Sequence, residues 1–137
     1  VAPAAPGLPA VARATDLKVA PIIAPGKPPP PTKLTTRDLV VGSGQAAGPD
    51  SKVTVQYVGT SYPTGKVFDS SWARGQAATF TLTGVVPGFQ QGIVGMKPGG
   101  RREITIPPGL GYGASGQPPV IQPNETLVFV VDLKAIG

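Results

Sequence analysis

The sequence predicts an α+β fold: a mostly antiparallel sheet of five or six strands, covered by one short α-helix. Three observations lead there. Several segments alternate apolar and polar residues with the period of two that marks a half-buried strand. One segment switches to the helical period of 3.6. The strands outnumber the helix and do not alternate with it, which argues against the βαβ units of a parallel sheet.

Residues 1–32 hold nine of the 18 prolines and little large apolar surface, so they read as a Pro/Ala-rich leader or linker, largely flexible, ahead of a domain at 33–137. Within the leader, Pro28 to Pro31 is extended polyproline II or close to it, and Val19 to Ile23 is the stretch able to dock on something. From Thr35 the pattern changes. Leu39-Val40-Val41 before Gly42-Ser43-Gly44 is a strand ending in a turn. Lys52 to Tyr57 places Val53, Val55 and Tyr57 on one face. Val67-Phe68-Asp69 is a short apolar run that ends at Ser70-Ser71. Ala78 to Thr83 alternates again, with Phe80 and Leu82 on one side and threonines on the other. Phe89, Gly92, Ile93 and Met96 then share a helical face, with Pro87 suited to the first helical position and Pro98-Gly99-Gly100 closing the segment. Strand character returns at Arg102 to Ile106 and at Thr126 to Lys134. Between them, residues 107–125 hold nine Gly and Pro, and an irregular stretch of that length inside a domain is commonly functional.

The composition excludes whole classes of chemistry. There is no Cys and no His. A thiol nucleophile, a Ser-His-Asp triad, a disulfide framework and the usual Cys/His zinc sites are therefore ruled out. The formal charge of +5 is scattered, without the clustered basic footprint of a nucleic-acid binder. No apolar run approaches the length of a membrane span. Val1 is not an initiator Met, which is expected of a processed or constructed end. Among the acidic residues, Glu103 and Asp132 fall on strand faces opposite the apolar ones and read as solvated surface charges. Asp69 differs, because it ends an apolar strand and has Arg74 five residues on. A charge beside an apolar cluster persists only if paired or hydrogen-bonded, although a turn-forming Asp satisfies the same spacing.

Six motifs occur in order: Val55 to Gly59; Gly65 to Ser71; Val85 to Phe89; Gly92 to Gly100; Gly111-Tyr112-Gly113; and Ile121 to Asn124 leading into Leu127-Val128-Phe129. Together, over about residues 34–137, they resemble the FKBP-type peptidyl-prolyl cis/trans isomerases, the macrolide-binding immunophilins, in their bacterial exported form. The resemblance implies a curved antiparallel sheet wrapped around the helix. It implies a pocket whose catalytic residues are Tyr57, Phe68, Asp69, Phe89, Tyr112 and Phe129, with Val85, Val86, Ile121 and Arg74 binding the substrate or ligand. Phe89 is the pocket floor where many relatives carry Trp, and Ala78 stands where some carry an aromatic. The Val86 N–H and the Tyr112 hydroxyl are the implied donors to a bound peptide, and Arg74 steadies Asp69.

The reaction so implied is rotation about X-Pro bonds during protein folding, with no covalent step, no metal and no cofactor. That agrees with a sequence lacking His and Cys. The expected partners are proline-containing polypeptides and macrolides of the tacrolimus or rapamycin type, with no nucleic acid and no transmembrane segment, and the chain is expected to be a monomer. A pocket that holds such a partner with little turnover is the competing function. The Pro/Ala leader ahead of a Cys-free domain leads to the expectation of an exported protein of the cell envelope or exterior, with any signal or lipid-bearing segment already removed. Leu8-Pro9, an apolar X-Pro bond, is a candidate pseudo-substrate for the pocket.

Overall fold

The structure is a computed structural model, and it describes residues 1–117 and 121–137. Its main sheet has six strands: β3 (Thr35–Val40), β4 (Lys52–Ser61), β5 (Val67–Ser70), β6 (Ala78–Thr81), β7 (Arg101–Ile106) and β8 (Leu127–Ile136). The spatial order is β3-β7-β8-β4-β5, with β6 also on β4, and every pairing is antiparallel. One edge of β4 runs along β8 from Val53 to Ser61. Its other edge is shared, Lys52 to Val55 pairing with β6 and Val58 to Thr60 with β5. Register shifts at Asp38/Val40, Thr54/Val55 and Gly59/Thr60 break the ladders locally, and such bulges bend and twist the strands that carry them.

The helix α1 (Pro87–Ile93) starts on Pro87, as the sequence predicts. It lies close on the inner face because two of its residues have no side chain. A Cβ on Gly88 would stand 2.4 Å from an Ile106 methyl, and one on Gly92 would stand 2.6 Å from Ile104. The guanidinium of Arg102, on the same face of β7, donates to the Gly92 and Val94 carbonyls at 2.8 and 3.0 Å. A cation at the helix C-terminus answers the partial negative charge of its free carbonyls. The core between helix and sheet is built from Val53, Val55, Leu82, Phe89, Ile93, Ile104, Ile106, Leu127, Val131 and Leu133. The predicted strand over Ala78 to Thr83 stops at Thr81, and Leu82–Gly84 turns as a 3₁₀ helix that leads into α1.

The outer face of the sheet departs from expectation. Where the composition suggests a flexible spacer, the structure lays residues 1–32 across this face. Two short strands pair there, β1 (Val11–Ala12) and β2 (Ile22–Ile23). Val11, Ala14 and Ile23 are buried against Val58, Tyr62, Val128 and Val130. Leu8 is buried too, and the neighbouring Pro9 carbonyl accepts from Arg37, so Leu8-Pro9 lies on the face opposite the predicted pocket. The leader carries few large apolar side chains, but its backbone carbonyls are hydrogen-bond acceptors. Arg101 donates to those of Arg13 (2.7 Å) and Val19 (2.9 Å), and Arg37 to those of Pro3 (2.8 Å) and Pro9 (3.1 Å).

This layer corrects the expectation that Glu103 and Asp132 are solvated. They are 0% and 1% exposed. Arg101 grips Asp132 through two bonds of 2.6 and 2.8 Å, and Arg37 meets Glu103 at 2.7 Å. Burial pushes the Glu103 carboxyl up to about 7, with the Arg37 guanidinium pulling the other way.

Candidate active site

The candidate residues come from seven separate places and meet at the inner face. Tyr57 projects from β4, Phe68 and Asp69 from β5, Phe89 from α1 and Phe129 from β8. Val85 and Val86 form the link into the helix, and Tyr112 and Ile121 belong to the long Gly/Pro segment. Arg74 sits in the turn after β5, which closes through Arg74 N–H to Ser71 O and Gly75 N–H to Trp72 O.

The rings form one contact network around Phe129. Its centroid lies 4.9 Å from Phe89 and 5.5 Å from Phe68, with interplanar angles of 71° and 90°. Tyr57 meets Phe89 edge-on at 5.9 Å and Phe129 at 6.2 Å. Such edge-to-face arrangements suit the ring quadrupoles. Phe80, which the sequence marks as a core residue, joins the network at 5.5 Å from Phe89. Tyr57, Phe89 and Phe129 are buried, with 9, 5 and 6% exposure, and form the floor of the cluster. Around it Phe68, Asp69, Val85, Val86 and Tyr112 are half-buried, while Ile121 is nearly covered. Ala78 is half-buried against the same cluster.

Gly59 makes this packing possible, and sequence periodicity does not reveal it. A Cβ there would lie 2.8 Å from both Phe129 and Phe68, so two rings close over bare backbone. Its signal in the sequence is a glycine inside an otherwise apolar strand.

Asp69 is held at the rim. The Tyr57 hydroxyl donates to its Oδ2 at 2.6 Å, and Arg74 Nη1 donates to its Oδ1 at 2.5 Å. Arg74 Nη2 also donates to the Tyr57 oxygen at 2.9 Å, and the guanidinium carbon stands 5.7 Å from the Tyr57 ring centroid. Burial, followed by the bond to the Asp69 carboxylate, pushes the Tyr57 hydroxyl above its ordinary value, and Arg74 opposes this. The bonds to Tyr57 and Asp69 raise Arg74 in turn. At neutral pH Tyr57 therefore stands as a neutral phenol and Arg74 as a guanidinium. Ser71 fixes the segment behind them. It receives the Tyr57 N–H on Oγ at 2.7 Å and donates its own N–H to the Tyr57 carbonyl at 3.0 Å.

Two donors at the rim are unused. Among the described residues the Val86 N–H and the Tyr112 hydroxyl have no hydrogen-bond partner, while the Val86 carbonyl accepts from Phe89 and Gln90. The structure thus brings all ten candidate residues to one locality. The arrangement offers flat apolar walls, two free donors and one fixed carboxylate. It offers no nucleophile paired with a base, and among the described residues no cluster of metal-ligating side chains occurs.

Comparison with known proteins agrees with this fold. The family described as FKBP-type peptidyl-prolyl cis-trans isomerase matches residues 43–134. An FK506-binding protein of Streptomyces anulatus is 46% identical over 110 residues, which are 78% of this chain and 89% of that one. The peptidyl-prolyl cis-trans isomerase Mip of Coxiella burnetii is 47% identical over 103 residues, 75% of this chain and 44% of the relative. The crystal structure of FkpA from Escherichia coli superposes with a TM-score of 0.72 at 42% identity, covering 77% of this chain and 48% of that chain. The present chain thus spans less than half the length of Mip and FkpA. A match over most of the chain, with the same sheet and helix beneath it, makes this chain a member of the FKBP-type peptidyl-prolyl cis-trans isomerase family.

Proposed function

We propose that the ring-lined site carries out the peptidyl-prolyl cis-trans isomerisation of this family, and that it does so by favouring a twisted amide. An X-Pro bond turns over a resonance barrier of roughly 18–20 kcal/mol, taking tens to hundreds of seconds unaided. At the top of that barrier conjugation is lost and less charge sits on the carbonyl oxygen. The twisted form is therefore less polar than the planar one. An apolar floor favours it relative to water, and binding the twisted form better than the planar one is what accelerates the turn.

Each group has a part in this reading. Phe129, Phe89, Phe68 and Tyr57 give the pyrrolidine ring its flat walls. The Val86 N–H and Tyr112 hydroxyl hold the flanking peptide while the rest turns. Asp69, fixed by Tyr57 and Arg74, aims a carboxylate at the site and influences the carbonyl carbon through its field. The observation that carries the proposal is the convergence of these rings, with half-buried Phe68 and two unused donors beside them.

The same pocket is proposed to take macrolides, in line with the name of the Streptomyces relative. Clients are proposed to be proline-containing polypeptides at the cell envelope or outside it, met by a monomer. The Pro/Ala-rich leader supports that location, and no helix of the described residues is long and apolar enough to cross a membrane. The test is exchange at an Ala-Leu-Pro peptide, read by a protease-coupled assay or by NMR, with and without tacrolimus. Acceleration that tacrolimus suppresses, and that Phe129→Ala and Phe68→Ala both lose while still folded, is the expected result. Full turnover in both variants would remove the site from the reaction.

A further inference from the structure

Beside the ring cluster lies a groove of about 940 Å³. Three parts of the chain wall it: Pro28 and Pro30 of the leader, Pro63 with Val67 and Phe68 around the β4–β5 turn, and Pro123 of the loop before β8. Phe68 belongs to both places, since it lines the groove and its ring packs edge-on against Phe129 at 5.5 Å. From this continuity we infer that the groove takes the substrate chain next to the isomerised proline, as an uncharged, apolar, extended segment. The inference rests on the isomerase reading of the ring-lined site.

The leader wall is built into the fold. The Gly26 N–H donates to the Tyr62 carbonyl at 2.6 Å, and the Tyr62 hydroxyl donates to the Lys27 carbonyl at 2.8 Å. The backbone of Gly26 lies flat on the Tyr62 ring, where a Cβ would come within 2.4 Å of Cζ. This pins the residues just before Pro28 and Pro30 and fixes the distance between the groove's two sides.

The chemistry of the walls selects the occupant. Proline has no N–H, so Pro28, Pro30, Pro63 and Pro123 offer a bound chain no backbone donor. They offer ring faces and aliphatic surface instead, and Val67, an apolar side chain 52% exposed, is open to contact there. Charged groups along the groove are one of each sign, Lys66 and Glu125, which selects for no net charge. A residue preceding proline is already restricted to extended backbone, so a substrate leaves the pocket as the straight chain such a groove accepts. The volume is near the top of the roughly 300–1,000 Å³ range of ligand sites and suits a short peptide segment.

The experiment compares KM for a short X-Pro tetrapeptide with KM for the same peptide lengthened by three apolar residues on one side or the other. One lengthened form should show KM lower by about tenfold, the order expected from seating one further aliphatic side chain. The ratio of long to short KM should return to about one in Val67→Asp and in Pro30→Asp, which charge the two facing walls. Two variants are used so that one misfolded protein does not remove the test. No gain from either extension, or a gain that survives both substitutions, overturns the groove assignment. A dimer in sedimentation that Val67→Asp dissociates would overturn it too, by giving the groove to a second copy. Absent turnover of the short peptide would instead refute the isomerase reading, so the two failures are distinguishable.

Discussion

Replacing Arg101 with Met tests whether the leader belongs to the folded domain. The side chain is fully buried on the outer face of β7. It makes two bonds to the buried Asp132 and one each to the carbonyls of Arg13 and Val19. The substitution leaves a carboxylate buried without its partner, a change that costs about 3–5 kcal/mol. For a chain of this size the loss corresponds to a fall in Tm of roughly 12–20 °C. Urea unfolding followed by Trp72 fluorescence reads it directly, because Trp72 is the single tryptophan and packs in the outer cluster. Adding Asp132→Leu removes the stranded charge and should recover most of the loss, apart from about 1 kcal/mol for each leader carbonyl left without its donor. A cost below about 1 kcal/mol in the single variant is what an exposed pair gives. That result would mean the face is wet, and the reasoning about the leader would be wrong.

Further outcomes concern the site and the buried acid. Gly59→Ala should destabilise by about 1–3 kcal/mol and lower kcat/KM by about tenfold or more, since its methyl displaces Phe129 and Phe68; wild-type turnover would show that ring placement is not limiting. Asp69→Leu should lower kcat/KM by about tenfold if the carboxylate's field acts on the amide, whereas unchanged turnover reduces Asp69 to scaffold. Glu103 has its folded-state carboxyl raised to about 7 from 4.5, so the folded protein holds a proton there that the unfolded chain releases. Its contribution to stability is full below about 4.5 and is lost as pH rises through about 7. Chemical denaturation across that window should show stability falling by about 3 kcal/mol, with the slope removed in Glu103→Gln; an unchanged slope in the variant would assign it to another group.

Much of the sheet and helix is legible in the residues. Val53, Val55 and Tyr57 on β4, and Leu127, Phe129, Val131 and Leu133 on β8, alternate as strands with one buried face, and that face is the core. Pro87 and the Phe89/Ile93/Met96 spacing mark the helix. The ring cluster follows from aromatics at inward positions, although periodicity alone does not separate a reachable floor from solid packing. The outer layer is not legible. Glu103 and Asp132 alternate away from the apolar side, and nothing local to β7 or β8 signals a second layer above them. Apart from a few apolar residues such as Val11 and Ile23, the leader is anchored through its carbonyls, which every residue possesses, so its composition hides most of the attachment. The roles of Phe80 and Gly59 and the groove beside Phe68 depend on distances between segments far apart in sequence.

On the edge of β4 away from β8, β6 gives out at Val55 and β5 begins at Val58. The changeover falls at Gln56 and Tyr57, where Ser71 alone stitches the backbone. The site therefore sits at a seam between two partners of one strand. Six residues from Trp72 to Ala77 cross that seam; Trp72 packs into the outer cluster, and the five after it can be exchanged without unmaking a rung on either side. Substrate preference can thus diverge within this architecture by editing one turn, while the scaffold beneath it stays untouched.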